Sequence, residues 1–153
     1  GGVTAAIFRF AQSMIGHVRG GLAQVNIVTS MLFASLSGSA VADASAVGKM
    51  LVPEMVKEGY SRRYSAAVTA SAAILGPVIP PSGLMILYAF VMNVSVAALF
   101  AAGAVVGVLM AGGLMLVTMA LAHRRGFPKA ERKATWGERG RALSQTLPAL
   151  MTP

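Results

Sequence analysis

Residues 64 to 123 contain no Lys, Arg, Asp or Glu, yet the first half of that run is interrupted by Gly76-Pro77-Val78-Ile79-Pro80-Pro81-Ser82. An uncharged apolar run of this length belongs in a bilayer, which a helix of about 20 residues crosses. Each proline lacks an amide hydrogen and crowds the turn before it, so these prolines forbid a continuous helix. Unwound backbone survives at membrane depth only where protein covers it or where it lines a hydrated cavity. The interruption therefore predicts a binding site for an ion or polar solute near the midplane.

Composition agrees with a membrane chain. Only 12% of the 153 residues are charged, against about 25% in a soluble domain. The net charge of +8 raises nucleic acid as a partner. However, seven of the thirteen basic residues lie between Arg124 and Arg141, with Phe127 and Trp136 as their only aromatic neighbours. A basic loop beside apolar spans reads as a cytoplasmic topology signal and not as a nucleic-acid site. The absence of cysteine excludes disulfides and thiolate metal sites. His17 and His123 have no partner at metal-ligand spacing. Gly1-Gly2 lacks a signal-peptide pattern, and a new apolar segment begins at Leu147. The chain reads as an internal piece of a longer membrane protein; the alternative is a small complete protein with frayed ends.

Five segments follow. Residues 1–19 predict an interfacial amphipathic helix, with Ile7, Phe8, Ala11, Met14, Ile15 and Val18 on one face. It reads equally as the end of a preceding span. Residues 20–60 predict a re-entrant hairpin. Its first block, Val25 to Leu36, makes about 18 Å of helix, too short for a hydrocarbon core about 30 Å thick. Ser37-Gly38-Ser39 follows as the turn, and a second block runs from Ala40 to about Val56. Residues 61–95 predict a broken transmembrane helix, residues 96–123 a second transmembrane helix, and residues 124–153 a basic cytoplasmic loop followed by the start of a missing second half. Beyond that loop, Trp136, Gly140, Leu143, Leu147 and Leu150 share one face of a further interfacial helix. Gly103 and Gly107 have the small-xxx-small spacing that admits a close neighbour, with Gly112-Gly113 as a second thin spot.

Several residues offer chemistry without a nucleophile or metal cluster. Ser37 and Ser39 each supply a hydroxyl that either ligates a hard cation or caps a helix. Gly38 permits the sharp turn. Two helix breaks at the midplane would expose carbonyls suited to sodium and amides suited to an anion. The carbonyls of Leu75 and Gly76 are the ones expected to be left bare. Asp43 is the only acid before Glu54. It reads either as a carboxylate favoured by the helix dipole or as a ligand, direct or indirect, of a coupling ion. An enzyme using Asp43 would lack a second acid, and an inactive structural subunit is a further alternative.

The runs Gly21-Leu22-Ala23, Phe33 through Asp43, Gly48, Pro53-Glu54-Met55, Gly59-Tyr60, Gly76 through Ser82 and Leu99-Phe100-Ala101-Ala102-Gly103 together resemble the large membrane subunit of TRAP transporters, the tripartite ATP-independent periplasmic transporters. The resemblance covers roughly residues 20 to 125. It implies an all-α integral membrane protein of the ion-transporter type, of which this chain is part of the first inverted half. It also implies sodium-coupled uptake of small carboxylate solutes by an elevator-type motion in the inner membrane of a bacterium or archaeon. The implied partners are a small membrane subunit and a periplasmic solute-binding protein. Na+ is the implied coupling ion, with no organic cofactor. By this resemblance Ser37, Gly38, Ser39, Gly76, Pro80 and Ser82 surround a first sodium site. Ser39, Pro81 and Ser82 adjoin the solute, and Asp43 supports the site from behind.

Charge placement sets the topology. Only a re-entrant 20–60 segment puts Arg19, Arg62, Arg63 and Arg124 on the cytoplasmic side and Asn93 to Ala97 outside. Single cysteines introduced into this cysteine-free sequence, within the full-length protein, should react with an impermeant external reagent at position 94 and not at 62 or 124. Labelling at 62 without labelling at 94 contradicts the re-entrant arrangement.

Overall fold

A computed structural model describes residues 2–15, 18 and 20–127. All regular structure among them is helical: α1 (Gly2–Ile15), α2 (Gly21–Ser37), α3 (Ala40–Lys57), α4 (Arg62–Ala73), α5 (Gly83–Met92) and α6 (Val96–Arg125). The expected helix around Trp136 lies outside the described residues.

Helix α1 packs on α2 and buries Ile7 and Ala11 completely, with Phe8 and Ile15 beside them. Arg9 and Gln12 face outward, as the amphipathic pattern predicts. Met14 departs from that pattern and stays half exposed. Helices α2 and α3 form an antiparallel pair. They are joined at Gly38-Ser39, and near their other ends Asn26 Nδ2 lies 3.4 Å from Met55 Sδ. Helix α2 starts at Gly21 and not at Val25, which lengthens it to 17 residues. At about 25 Å it still falls short of a 30 Å core. Helix α4 packs against both arms of the pair, and Ser61 Oγ caps its start by accepting from the Tyr64 amide at 3.2 Å.

Helix α6 has 30 residues, about 45 Å. By length and composition it is the one helix among the described residues able to cross a membrane. Its C-terminal half is tied to the start of α2. Gln24 Nε2 donates to the Met115 carbonyl at 2.9 Å and to Thr118 Oγ1 at 2.8 Å. At the same end Tyr60, Tyr64 and Phe127 cluster, with ring centroids 4.7 to 6.0 Å apart. This cluster gathers Lys57, Arg62, Arg63, Arg124 and Arg125 at one end of the bundle, since each lies within three residues of one of its rings.

The unwound stretch, residues 74–82, lies against the N-terminal half of α6. A Cβ on Gly103 would come within 2.7 Å of the Val78 carbonyl oxygen and 2.5 Å of Met85 Cε. One on Gly107 would come within 2.7 Å of Ile79 Cγ1. The small-xxx-small pair thus admits a break and not a straight helix. Gly112 and Gly113 have no neighbour within 4 Å of where a Cβ would be, so no close approach is made there. Replacing Gly107 by Ala should destabilise the full-length protein by about 1–3 kcal/mol through overpacking. Replacing Gly112 by Ala should be neutral or stabilising by up to about 1 kcal/mol. Thermal unfolding in detergent compares the two; equal shifts would mean that Ile79 does not press on α6.

Candidate functional site

The turn between α2 and α3 and the unwound stretch come into contact. Gly38 ends α2 in the left-handed conformation at φ 58°, and its amide donates to the Ala34 carbonyl at 2.9 Å. A Cβ at Gly38 would lie 3.1 Å from the Pro81 carbonyl oxygen and 3.4 Å from Ser82 Cα. A Cβ at Gly76 would lie 3.0 Å from both the Ala40 nitrogen and the Ser39 carbonyl carbon. The tip therefore touches the break near both of its ends. Two glycines make this possible, because any side chain would hold the ribbons apart.

The serines divide by role. Ser39 caps α3, its Oγ accepting from the Ala42 amide at 3.4 Å, and Ser37 Oγ accepts from the Ser39 amide at 3.4 Å. Both hydroxyls thus serve the turn as acceptors. Ser82 stands at the start of α5 but its side chain does not cap the helix. It is fully buried, and its Oγ has no hydrogen-bond partner. Pro81 is exposed and Pro80 half-buried. Of the expected site residues, Gly38, Ser39, Gly76, Pro81 and Ser82 come together. No close contact across the gap marks Ser37 or Pro80.

The backbone of the break is asymmetric. The Leu75 carbonyl was expected to be bare, but it accepts from the Val78 amide at 3.1 Å and the Ile79 amide at 2.8 Å. A hydrogen-bonded turn thus extends α4 past its last regular residue. No described donor reaches the carbonyls of residues 76–81. The next amides, of Gly83, Leu84 and Met85, bond to no described acceptor, and the ladder of α5 resumes with Ile86 donating to the Ser82 carbonyl at 3.1 Å. One strip of chain thus presents acceptors followed directly by donors. The described residues hold no cluster of His, Asp or Glu able to bind a metal, so any ion here would be held by hydroxyl and carbonyl oxygens.

Behind the tip runs a polar seam that the sequence reading did not single out. Asn26 Nδ2 donates to Thr69 Oγ1 at 2.7 Å, and Thr69 Oγ1 donates to the Ser65 carbonyl at 2.9 Å. Thr29, Ser30 and Asp43 are fully buried, and their side-chain oxygens are unpartnered. The available signal was the spacing of Asn26, Thr29 and Ser30, which places three polar groups on one face of an uncharged helix.

The comparisons give the family. The model of the tripartite ATP-independent periplasmic transporter, DctM component, matches residues 1–153, and the chain belongs to that family. It is 41% identical over its whole length to a sialic acid TRAP transporter permease of Haemophilus influenzae, of which it covers 25%. It is 40% identical over 149 residues to a C4-dicarboxylate TRAP transporter large permease of Vibrio cholerae, covering 90% of this chain and 33% of that one. It is also 37% identical over 153 residues to a 2,3-diketo-L-gulonate large permease of Escherichia coli, covering all of this chain and 36% of the relative. The chain thus spans 25% to 36% of the length of these relatives, all of them named as transporter permeases.

Gly38→Ala should cost more than Gly126→Ala. Both positions have similar positive φ, 58° and 63°, and share a backbone cost of about 1–2 kcal/mol. Only Gly38 faces another segment, whereas Gly126 has none within reach. The excess, about 1–3 kcal/mol by overpacking, reads the tip–break contact directly in a thermal unfolding comparison. Equal costs would show that the tip stands clear of Pro81.

Proposed function

We propose that the complete protein is the large permease of a sodium-coupled TRAP transporter that takes up small carboxylate solutes across the inner membrane. Its partners are a small membrane subunit and a periplasmic binding protein. The carrying observation is the meeting of the Gly38-Ser39 tip with the 76–82 break, beside a buried, unpartnered Ser82 hydroxyl. Buried oxygens without partners suit a hard monovalent cation, because hard cations take oxygen ligands. Ser82 Oγ and carbonyls of residues 76–81 would hold sodium there. The ion would supply the positive charge that those oxygens lack.

The remaining work falls to the chain. The tip covers one side of the break, and α6 covers the other through Gly103 and Gly107, so water reaches the acceptors only from the open edge. The free amides of Gly83, Leu84 and Met85 sit at a helix N-terminus, which favours an anion. Relatives named for sialic acid, C4-dicarboxylates and 2,3-diketo-L-gulonate all have acidic solutes in their names. A carboxylate solute for this protein agrees with those amides. Sodium bound at the break completes the solute side of the site, and the tip, the break and α6 then move together as one elevator body.

In the full-length transporter, Ser82→Ala removes an unpartnered oxygen and should raise the sodium concentration for half-maximal uptake by about tenfold, the value of one charge-assisted hydrogen bond. Ser39→Ala removes a cap worth about 1 kcal/mol and should lower stability together with uptake. Sodium titration of solute uptake in proteoliposomes checks both. An unchanged sodium dependence in Ser82→Ala would remove the break as the ion's location.

A further inference from the structure

The acid inside the bundle, Asp43, is fully buried, and neither of its carboxyl oxygens has a hydrogen-bond partner. The Ser30 side chain is the polar group set beside it. Among the described residues, no basic side chain is paired with it. Helix α2 carries no charged residue, and α5 carries none. Helix α4 has only Arg62 and Arg63, in its first turn at the aromatic end. Helix α6 has no charge before His123, Arg124 and Arg125 at that same end. On α3 itself Lys49 is exposed and six residues away, and Lys57 pairs with Glu54 at 3.1 Å. Arg9 of α1 is exposed. The other titratable groups of the bundle, Tyr60, Tyr64 and Tyr88, offer no positive charge. An ionised carboxylate buried without a partner is too costly to persist. With no paired basic charge among the described residues, a cation from solution is the compensation this position suits.

We propose that Asp43, with Ser30, forms a separate position for one monovalent cation, a proton or a sodium ion, held behind the hairpin tip and carried with it. This rests on the reading of the chain as part of a cation-coupled permease, but it does not use the tip–break oxygens. Asp43 lies one helical turn beyond Ser39, on the stripe of α3 that also buries Val47, Leu51 and Met55. That stripe faces inward, and Ser30 stands opposite on α2, one turn beyond Asn26. The carboxyl is thus placed between the arms of the hairpin and not in the break. A cation there is shielded from lipid by both arms and by α4, and it adds one charge to whatever the break holds.

The test uses the full-length transporter in lipid. Infrared difference spectra with and without sodium are recorded for the wild type, Asp43→Asn and Ser30→Ala, with charge moved per solute measured in proteoliposomes. If a proton is carried, the wild type shows a protonated carboxyl band that Asp43→Asn lacks. Charge per solute then falls by one while the sodium count is unchanged. If sodium is carried, a carboxylate band shifts on sodium addition, the shift is lost in Asp43→Asn, and the sodium count falls by one. In either case Ser30→Ala moves the same band, which decides the matter should Asp43→Asn fail to insert. The proposal is overturned if Asp43→Asn keeps the full charge per solute, even with weaker sodium activation, because Asp43 then acts only through space. It is also overturned if no band responds to Asp43→Asn or Ser30→Ala. Ser82→Ala separates the two readings: it should leave the Asp43 band unmoved, so a failed break site does not disturb this result.

Discussion

An unsatisfied backbone group in a hydrocarbon environment costs several kcal/mol, and the rest of this structure is arranged around that constraint. Three prolines strip amides from residues 77–81, and no helix can run through them. The stretch is tolerable only because it is covered. The Gly38-Ser39 tip lies across it on one side and α6 presses on the other. Each contact depends on a missing Cβ: at Gly38 and Gly76 toward the tip, at Gly103 and Gly107 toward α6. Enlarging any of these four positions moves the break away from the cover that makes it possible.

The other end of the bundle fixes where the tip can reach. Gln24 bonds α2 to the Met115 carbonyl and Thr118 of α6. Gly20 lets α2 begin where its missing Cβ would stand 2.5 Å from the Ala122 Cβ. The stacked Tyr60 and Tyr64, with Phe127 tilted against both, close the junction of α3 and α4 on the end of α6. Buried polar and aromatic contacts of this kind hold register more strictly than apolar packing, since a slip leaves their partners unpaired. The arms of the pair are therefore set at their base, and the length of α2 carries Gly38 to Pro81. The basic residues gathered at the base fit one aqueous side by the same charge bias that the sequence pattern suggests.

Much of this was legible in the sequence because its carriers are residues with strong backbone rules. Pro77, Pro80 and Pro81 announce a break, Gly38 announces a turn, and the uncharged run from Tyr64 to His123 announces a bilayer. What was not legible depends on tertiary geometry. Nothing local reveals that Leu75 would keep its carbonyl bonded through two further amides, so that the acceptors start at Gly76. Whether a serine caps a helix or lies free is equally undetermined by type: Ser39 caps, whereas Ser82, at the same position of its own helix, does not. The glycine pair on α6 was visible as a thin spot, but its occupant, an unwound segment, was not. The seam of Asn26, Thr29, Ser30 and Thr69 was visible only as spacing, and its burial emerges once α2, α3 and α4 pack.

The order of acceptors and donors along the break gives a reason why the proposed cation and anion sites would adjoin. At the start of α3 one amide is capped, Ala42 donating to Ser39 Oγ, and the helix ladder begins with Asp43 donating to the Ser39 carbonyl, which leaves the amides of Ala40 and Val41 without a described acceptor. The tip therefore keeps two free amides. At the start of α5 the corresponding hydroxyl, Ser82 Oγ, is not spent on capping, and the first three amides stay unpaired. These three donors follow directly after the open carbonyls of residues 76–81. A cation on the acceptor side brings positive charge next to those donors, and an anion there returns the favour, since each lowers the electrostatic cost of holding the other in a medium of low dielectric. In the proposed transporter, coupling would then need no signal relayed through the bundle, since two ligands of opposite charge would share one unwound strip of backbone and each would help to hold the other.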